Sequence, residues 1–351
     1  MKQTSTSRLP SFFSKYRAAL IAALVLVLLP FIIGLFEGAS PAMVFFNQST
    51  YSKFLQGFAI EIFILALYAM SYDLIFGVTG LLSFGHAMFF AVGAYLTGIA
   101  LKNFSLPLWA ALGVVFLASL VQAVLFGLVL PRVKGITFAL VTLGMASVFY
   151  ILVMSRELGN YTGADVGLQG VIIPDFISPA TQRLRFYFVM LAVLIFMYLL
   201  YQRFVNSPTG RVCIAIRENE GRAQMLGYNT FYFKLAALAL SSFTAALAGF
   251  FYALYQPIVT PNVASLGYTV TALLIVLIGG VGTLQGALVG ALVYRLLDFG
   301  LRRYIGESAS FITGAIYVIF VLFVPFGIVG AWHSKSLQIK QGWERLSKIF
   351  S

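Results

Sequence analysis

Apolar and polar positions alternate along this chain in long blocks. Ten apolar runs fall at 17–36, 56–76, 84–102, 107–130, 136–154, 184–202, 232–255, 267–281, 283–300 and 311–330, with polar connectors between them. A helix rises about 1.5 Å per residue, so roughly 20 apolar residues cross the hydrocarbon of a bilayer. The pattern predicts an all-α integral membrane protein of about ten transmembrane helices, some of them broken at glycines. The first run follows a polar, basic segment ending at Arg17. It is too long for the core of a signal peptide and reads as a retained first helix.

Composition sharpens this. The 351 residues are 60% hydrophobic and 10% charged, with a mean hydropathy of +0.94. Soluble domains carry about 25% charged residues. The single cysteine, Cys213, excludes a disulfide framework, and two distant histidines, His86 and His333, speak against a histidine metal site. No metal and no cofactor are expected. The net charge of +12 raises the question of nucleic acid, but no dense basic run exists. Positive cytoplasmic loops account for it better. With ten crossings, fifteen of the 23 Lys and Arg fall on one side and seven on the other, with Arg295 inside a span. The richer side is expected to be cytoplasmic. The chain then reads as one transmembrane unit, 1–351. Its cytoplasmic parts are an N-terminal segment (1–16), a loop (203–231) and a tail (332–351), and the 155–183 loop lies outside.

Two stretches carry candidate chemistry. The run from Tyr72 to Tyr95 holds Gly77, Gly80, Gly85 and Gly93, with Ser83 and His86 between them. Irregular backbone at membrane depth is tolerated only inside protein or beside a water-filled cavity. The stretch therefore reads either as the wall of a polar path or as a tight helix crossing with His86 hydrogen-bonded to a neighbour. Gly77, Gly80 and Ser83 share their spacing with Gly279, Gly282 and Gln285, an echo seen in transporters built from repeats, although glycine also serves simple packing. The second stretch, Ser207 to Gly227, reads as two short helices. Ser207 caps the first with Pro208 at its first position; Asn219 caps the second, Glu220 suits its positive end, and Gly227 suits its end. So charged a loop is a solvated connector or the seat of a soluble partner.

The residues now support a resemblance. The core G-x-x-G-x-x-S-x-G-H from Gly77 to His86 is one part of it. The stretch Gly210-Arg211 through Ala215-Ile216-Arg217-Glu218-Asn219-Glu220 to Gly227, followed by Lys234 and Ala248-Gly249, is a second. Gly279-Gly280-Val281-Gly282-Thr283-Leu284-Gln285-Gly286 is the third, and Thr162 to Leu168 fits loosely. Together, over residues 58–330, the chain resembles the LivM-type permease subunits of branched-chain amino acid ABC transporters. The resemblance implies the inverted repeat of type II ABC importers, a location in the plasma membrane (the inner membrane in bacteria), and no enzymatic activity of its own. It further implies a second homologous permease, two cytoplasmic ATP-binding cassette ATPases, an extracytoplasmic substrate-binding protein and surrounding membrane lipid as partners. The loop would couple to the ATPase through Gly210, Arg211, Arg217, Glu218, Asn219, Glu220 and Gly227. Gly77, Gly80, Ser83, Gly85, His86, Gly279 and Gly282 become candidates for the translocation path. Independently, no Gly-Lys pair occurs, so the phosphate-binding loop of an ATPase is missing from this chain.

Four charges fall within spans: Glu61, Asp73, Arg295 and Asp298. Arg295 and Asp298 are three apart and can pair on one face near a helix end. Glu61 and Asp73 lie about 18 Å apart along one helix, too far for a single site, and each is expected near an interface. Two other functions stay open: a permease of the same family for urea or short-chain amides, and an ion-coupled secondary transporter using Glu61 or Asp73.

Overall fold

The computed structural model describes residues 12–38, 40–45, 49–133, 135–324 and 326–332. Most of the 1–16 segment, Lys134, and the 332–351 tail beyond Trp332 with His333 lie outside the described residues. In chain order the helices are α1 (Phe12–Phe36), α2 (Pro41–Phe45), α3 (Thr50–Asp73), α4 (Ala87–Lys102), α5 (Leu108–Gly127), α6 (Ile136–Met154), α7 (Gly159–Thr162), α8 (Arg183–Asn206), α9 (Pro208–Glu218), α10 (Glu220–Met225), α11 (Thr230–Tyr255), α12 (Leu266–Gly279), α13 (Leu284–Ile305) and α14 (Ala309–Phe323). A π-helical turn, Leu74–Val78, extends α3. Each of the ten apolar runs thus holds a helix, and the last one breaks at Val324 before a further helical stretch at 327–332. Among the described residues, six helices are long and apolar enough to cross a membrane, and four shorter apolar ones accompany them.

Helices α3, α4 and α11 form the buried centre, while α5, α6 and α13 turn much of their apolar surface outward. In lipid that exposure costs nothing, and small residues rather than large apolar ones set where helices cross. At the α4–α11 crossing, added Cβ atoms at Gly93 and Gly249 would stand 2.0 Å from the carbonyls of Ala246 and Phe90. Hydroxyls tie α11 to its other neighbours: Ser241 donates to the Ser71 carbonyl of α3 at 2.6 Å and Ser242 to the Ser119 carbonyl of α5 at 2.9 Å. Pro30 inside α1 lacks the N–H that would serve the carbonyl of Leu26. Tyr187 of α8 donates its hydroxyl there instead, at 2.6 Å, which ties α1 to the bundle.

Two contacts sort the connectors into ends. Strand β1 (Leu168–Gln169) of the 155–183 loop pairs antiparallel with β2 (Ile258–Val259) after α11. At the opposite end, α9 touches both the π-turn after α3 and the loop between α12 and α13. Helices α3 and α12 therefore run in the same direction and end together. The glycine echo, which matches Gly77 with Gly279 and Gly80 with Gly282, relates parallel helices. Two-fold inversion in the membrane plane would send its mates to opposite faces, so this echo does not express an inverted repeat.

Candidate functional site

The elbow after α8 is built as its residues require. Ser207 accepts the N–H of Gly210 at 3.2 Å, and Pro208 occupies the first turn of α9. Asn219 accepts the N–H of Arg222 at 2.9 Å and starts α10, and Gly227 turns out of it with φ +87°. Helix α9 buries Gly210, Cys213 and Ile216, three residues apart, with Gly210 against the end of α8 and Cys213 against Phe233 at the start of α11, and leaves Arg211 and Glu218 exposed. Burial pushes the Cys213 thiol up to about 11. Cys213 is fully buried, so its thiol does not report from which side the loop is reached. Glu220 joins α10 to α11 through Lys234 at 2.5 Å and Thr230 at 2.9 Å. Beyond this joint, Met225 and Leu226 stand 88% and 72% exposed.

Arg217, in the last turn of α9, reaches back into the bundle. Its Nη1 donates to the carbonyl of Gly77, one of the acceptors that a helix end leaves open. Gly282, from the loop after α12, lies against the same point, and its N–H donates to Asp73 Oδ1 at 2.7 Å. The fit requires glycine. Gly282 has φ +75°, and a Cβ there would stand 2.9 Å from Arg217 Nη1. Gly80 has φ +76°, and its Cβ would stand 2.9 Å from Arg217 Cγ. A side chain on Gly77 would meet Asp73 Oδ1 at 2.1 Å and Gly282 N at 2.4 Å. Three segments separated by 65 residues or more thus converge on one node. Asp73, at the end of α3 beside the elbow, is fully buried here. The three-residue glycine spacing was the only signal for this convergence, and nothing along the chain signals Asp73 as its acceptor.

The break from Thr79 to His86 is held by neighbours. Thr142 of α6 accepts the Phe84 N–H at 3.2 Å, and Thr269 of α12 accepts that of Ala87 at 2.9 Å. A Cβ on Gly85 would stand 2.1 Å from the Thr142 carbonyl, and one on Gly279 would stand 1.8 Å from that of Gly286. His86 is fully buried. Its Nε2 lies 2.8 Å from Ser71 Oγ, and its ring stacks 5.5 Å from Tyr68. Ser83 Oγ is buried without a hydrogen-bond partner among the described residues. Ser83, Gly85 and His86 thus follow the Arg217 node along the same break, while Gly279 belongs to the α12–α13 turn.

The other intramembrane charges cluster away from this node. Arg295 pairs with Asp298 at 3.0 Å, as their spacing suggests, and also with Glu61 of α3, which spacing does not reveal. Arg302 reaches Asp298 at 2.6 Å. No group of three or more His, Cys, Asp or Glu that could hold a metal ion occurs among the described residues.

Apolar helices around a glycine-broken centre, with a polar elbow docked on its end, define a multi-pass membrane transport protein. The chain belongs to the family described as branched-chain amino acid transport system, permease component, whose model matches residues 54–324. It is a transport component of the plasma membrane. It is 26% identical over 294 residues to a high-affinity branched-chain amino acid permease, LivM, of Salmonella typhimurium, covering 77% of this chain and 68% of that one. It is 27% identical over 270 residues to a probable LivM of Methanocaldococcus jannaschii, covering 67% and 78%. With LivH of Escherichia coli it shares 22% identity over 291 residues, 76% of this chain and 91% of that one. No solved structure gives a significant match.

Proposed function

We infer that this chain is one permease half of an ATP-driven importer of branched-chain amino acids. The node of Arg217, Gly77, Gly282 and Asp73 carries the reading, because it ties the polar elbow directly to the broken helices. In this reading all ten apolar helices cross, both termini and 203–231 are cytoplasmic, and 155–183 is outside. The separation of the loops into two ends supports that topology, as does the excess of Lys and Arg on the elbow's side. The inverted repeat of type II importers stays part of the reading, carried by pairs of helices other than those in the glycine echo.

A second homologous permease completes the membrane pair, which the likeness to both LivM and LivH relatives favours. Two ATPases dock on α9 and α10, where Arg211, Glu218, Met225 and Leu226 face outward. An extracytoplasmic binding protein delivers substrate. Movement of the elbow reaches Gly77, Gly80 and Gly282 through Arg217, and the break with Ser83, Gly85 and His86, together with Gly279, lines or gates the path.

The names of the relatives favour branched-chain amino acids over urea or short amides. Glu61 pairs with Arg295 and Asp73 accepts the Gly282 N–H through Oδ1, so each has a structural partner, which weighs against an ion-coupled carrier. Proteoliposomes with the full assembly should take up leucine only with ATP, ATPase subunits and binding protein present. Uptake driven by a sodium or proton gradient alone would refute the reading.

A further inference from the structure

At the end of the bundle remote from Arg217, an open cavity of about 490 Å³ lies between α3, α11, α12 and α13. Its volume is within the range of small-molecule sites, about 300–1,000 Å³. The four charged residues of the outer cluster, Glu61, Arg295, Asp298 and Arg302, line it, and their charges sum to zero. Tyr252, Tyr268 and Tyr294 form further wall, with Ile64 and Leu65 beside them. Three of these charges, Glu61, Arg295 and Asp298, lie within membrane spans, where they are costly to keep, and such groups face cavities that serve a function.

We propose that this cavity is an entry site for an α-amino acid zwitterion. The argument is one of complementarity, and it rests on the amino-acid reading above. A neutral pair of pairs gives no net attraction to a cation or an anion, yet it offers both signs within one small space. The network also leaves capacity unused. Arg302 spends Nε on Asp298, and its terminal nitrogens make no hydrogen bond to the described residues. It is 63% exposed and can take the ligand's carboxylate in forked fashion. Glu61 meets Arg295 through Oε2, which leaves Oε1 for the ammonium. The tyrosine rings and Leu65 supply apolar wall for a branched side chain. The ligand then replaces water on charges already paired and leaves none of them bare.

A Leu65→Cys variant tests this within the complete reconstituted assembly, with the wild-type chain as blank because its one cysteine is buried. A membrane-impermeant thiol reagent added outside is expected to label Cys at 65. Millimolar L-leucine should slow labelling at least threefold. The single-charge analogues 4-methylpentanoate and isopentylamine should not slow it. Arg302→Gln, at an exposed position, should abolish protection by leucine while labelling persists. Labelling indifferent to leucine, equal protection by the single-charge analogues, or no labelling at all overturns the inference. Leucine uptake by the wild-type assembly is measured alongside. Its absence overturns the amino-acid reading itself, whereas its presence with an unprotected cysteine overturns the entry site alone.

Discussion

Arg217 acts at the scale of a few ångströms. A guanidinium on a helix-end carbonyl is a charge-assisted hydrogen bond, worth about 1.5–3 kcal/mol. Gly282→Ala forces φ +75° on a residue with a Cβ and sets that Cβ 2.9 Å from Arg217 Nη1. The variant complex should still purify intact while ATP-driven leucine uptake falls at least tenfold; uptake at the wild-type rate would show that the node is only a packing detail. Arg217→Ala should likewise uncouple ATP hydrolysis from binding protein. Cys213 offers a separate residue-scale test. Fully buried, with its thiol pushed up to about 11, it stays almost wholly protonated near neutral pH. It should resist maleimide between pH 7 and pH 9 even in inverted vesicles stripped of ATPase, and react once denatured. Rapid labelling of the native protein would mean that α9 leaves its seat.

At the scale of elements, α10 has six residues, too few to persist in water alone. It is held on α11 by Thr230, which bonds Glu220 and Gln224, and by the pair of Glu220 with Lys234, whose side chain is only 7% exposed. Removing one partner strands a mostly buried charge, which is worse than removing both. Glu220→Ala is expected to speed hydrogen exchange in peptides covering 219–227. Adding Lys234→Met should recover part of the protection. Exchange unchanged by the single substitution would show that α10 is held by something else. The capping residues of α9 and α10 could be read directly from sequence because a cap is local. The Glu220 pair spans fourteen residues and needed the fold.

For the whole molecule, the arrangement of ends predicts sidedness. Val166 is exposed in the 155–183 loop and Met225 is exposed on the elbow. With an impermeant thiol reagent, Val166→Cys should label in intact cells. Met225→Cys should label only in inverted vesicles with the ATPase removed. The reverse pattern would turn the molecule over and place the cavity of Glu61 and Arg295 on the cytoplasmic side.

The sequence by itself determined that the chain is helical and lives in a bilayer, where the ten apolar runs lie, how α9 and α10 begin, and which family it resembles. Each of these depends on neighbours within a turn or two, or on composition, and such information is written along the chain. The tertiary structure alone decided that Asp73 is buried under Gly282, that Arg217 closes on Gly77, and that Glu61 neutralises Arg295. It also separated the polar cavity from the glycine breaks. In a membrane every helix is apolar on most sides, so the pattern of polar and apolar positions does not say which face meets which helix. Close backbone approach at glycines and a few paired charges make that choice, and their partners lie up to 234 residues apart, as Glu61 and Arg295 do.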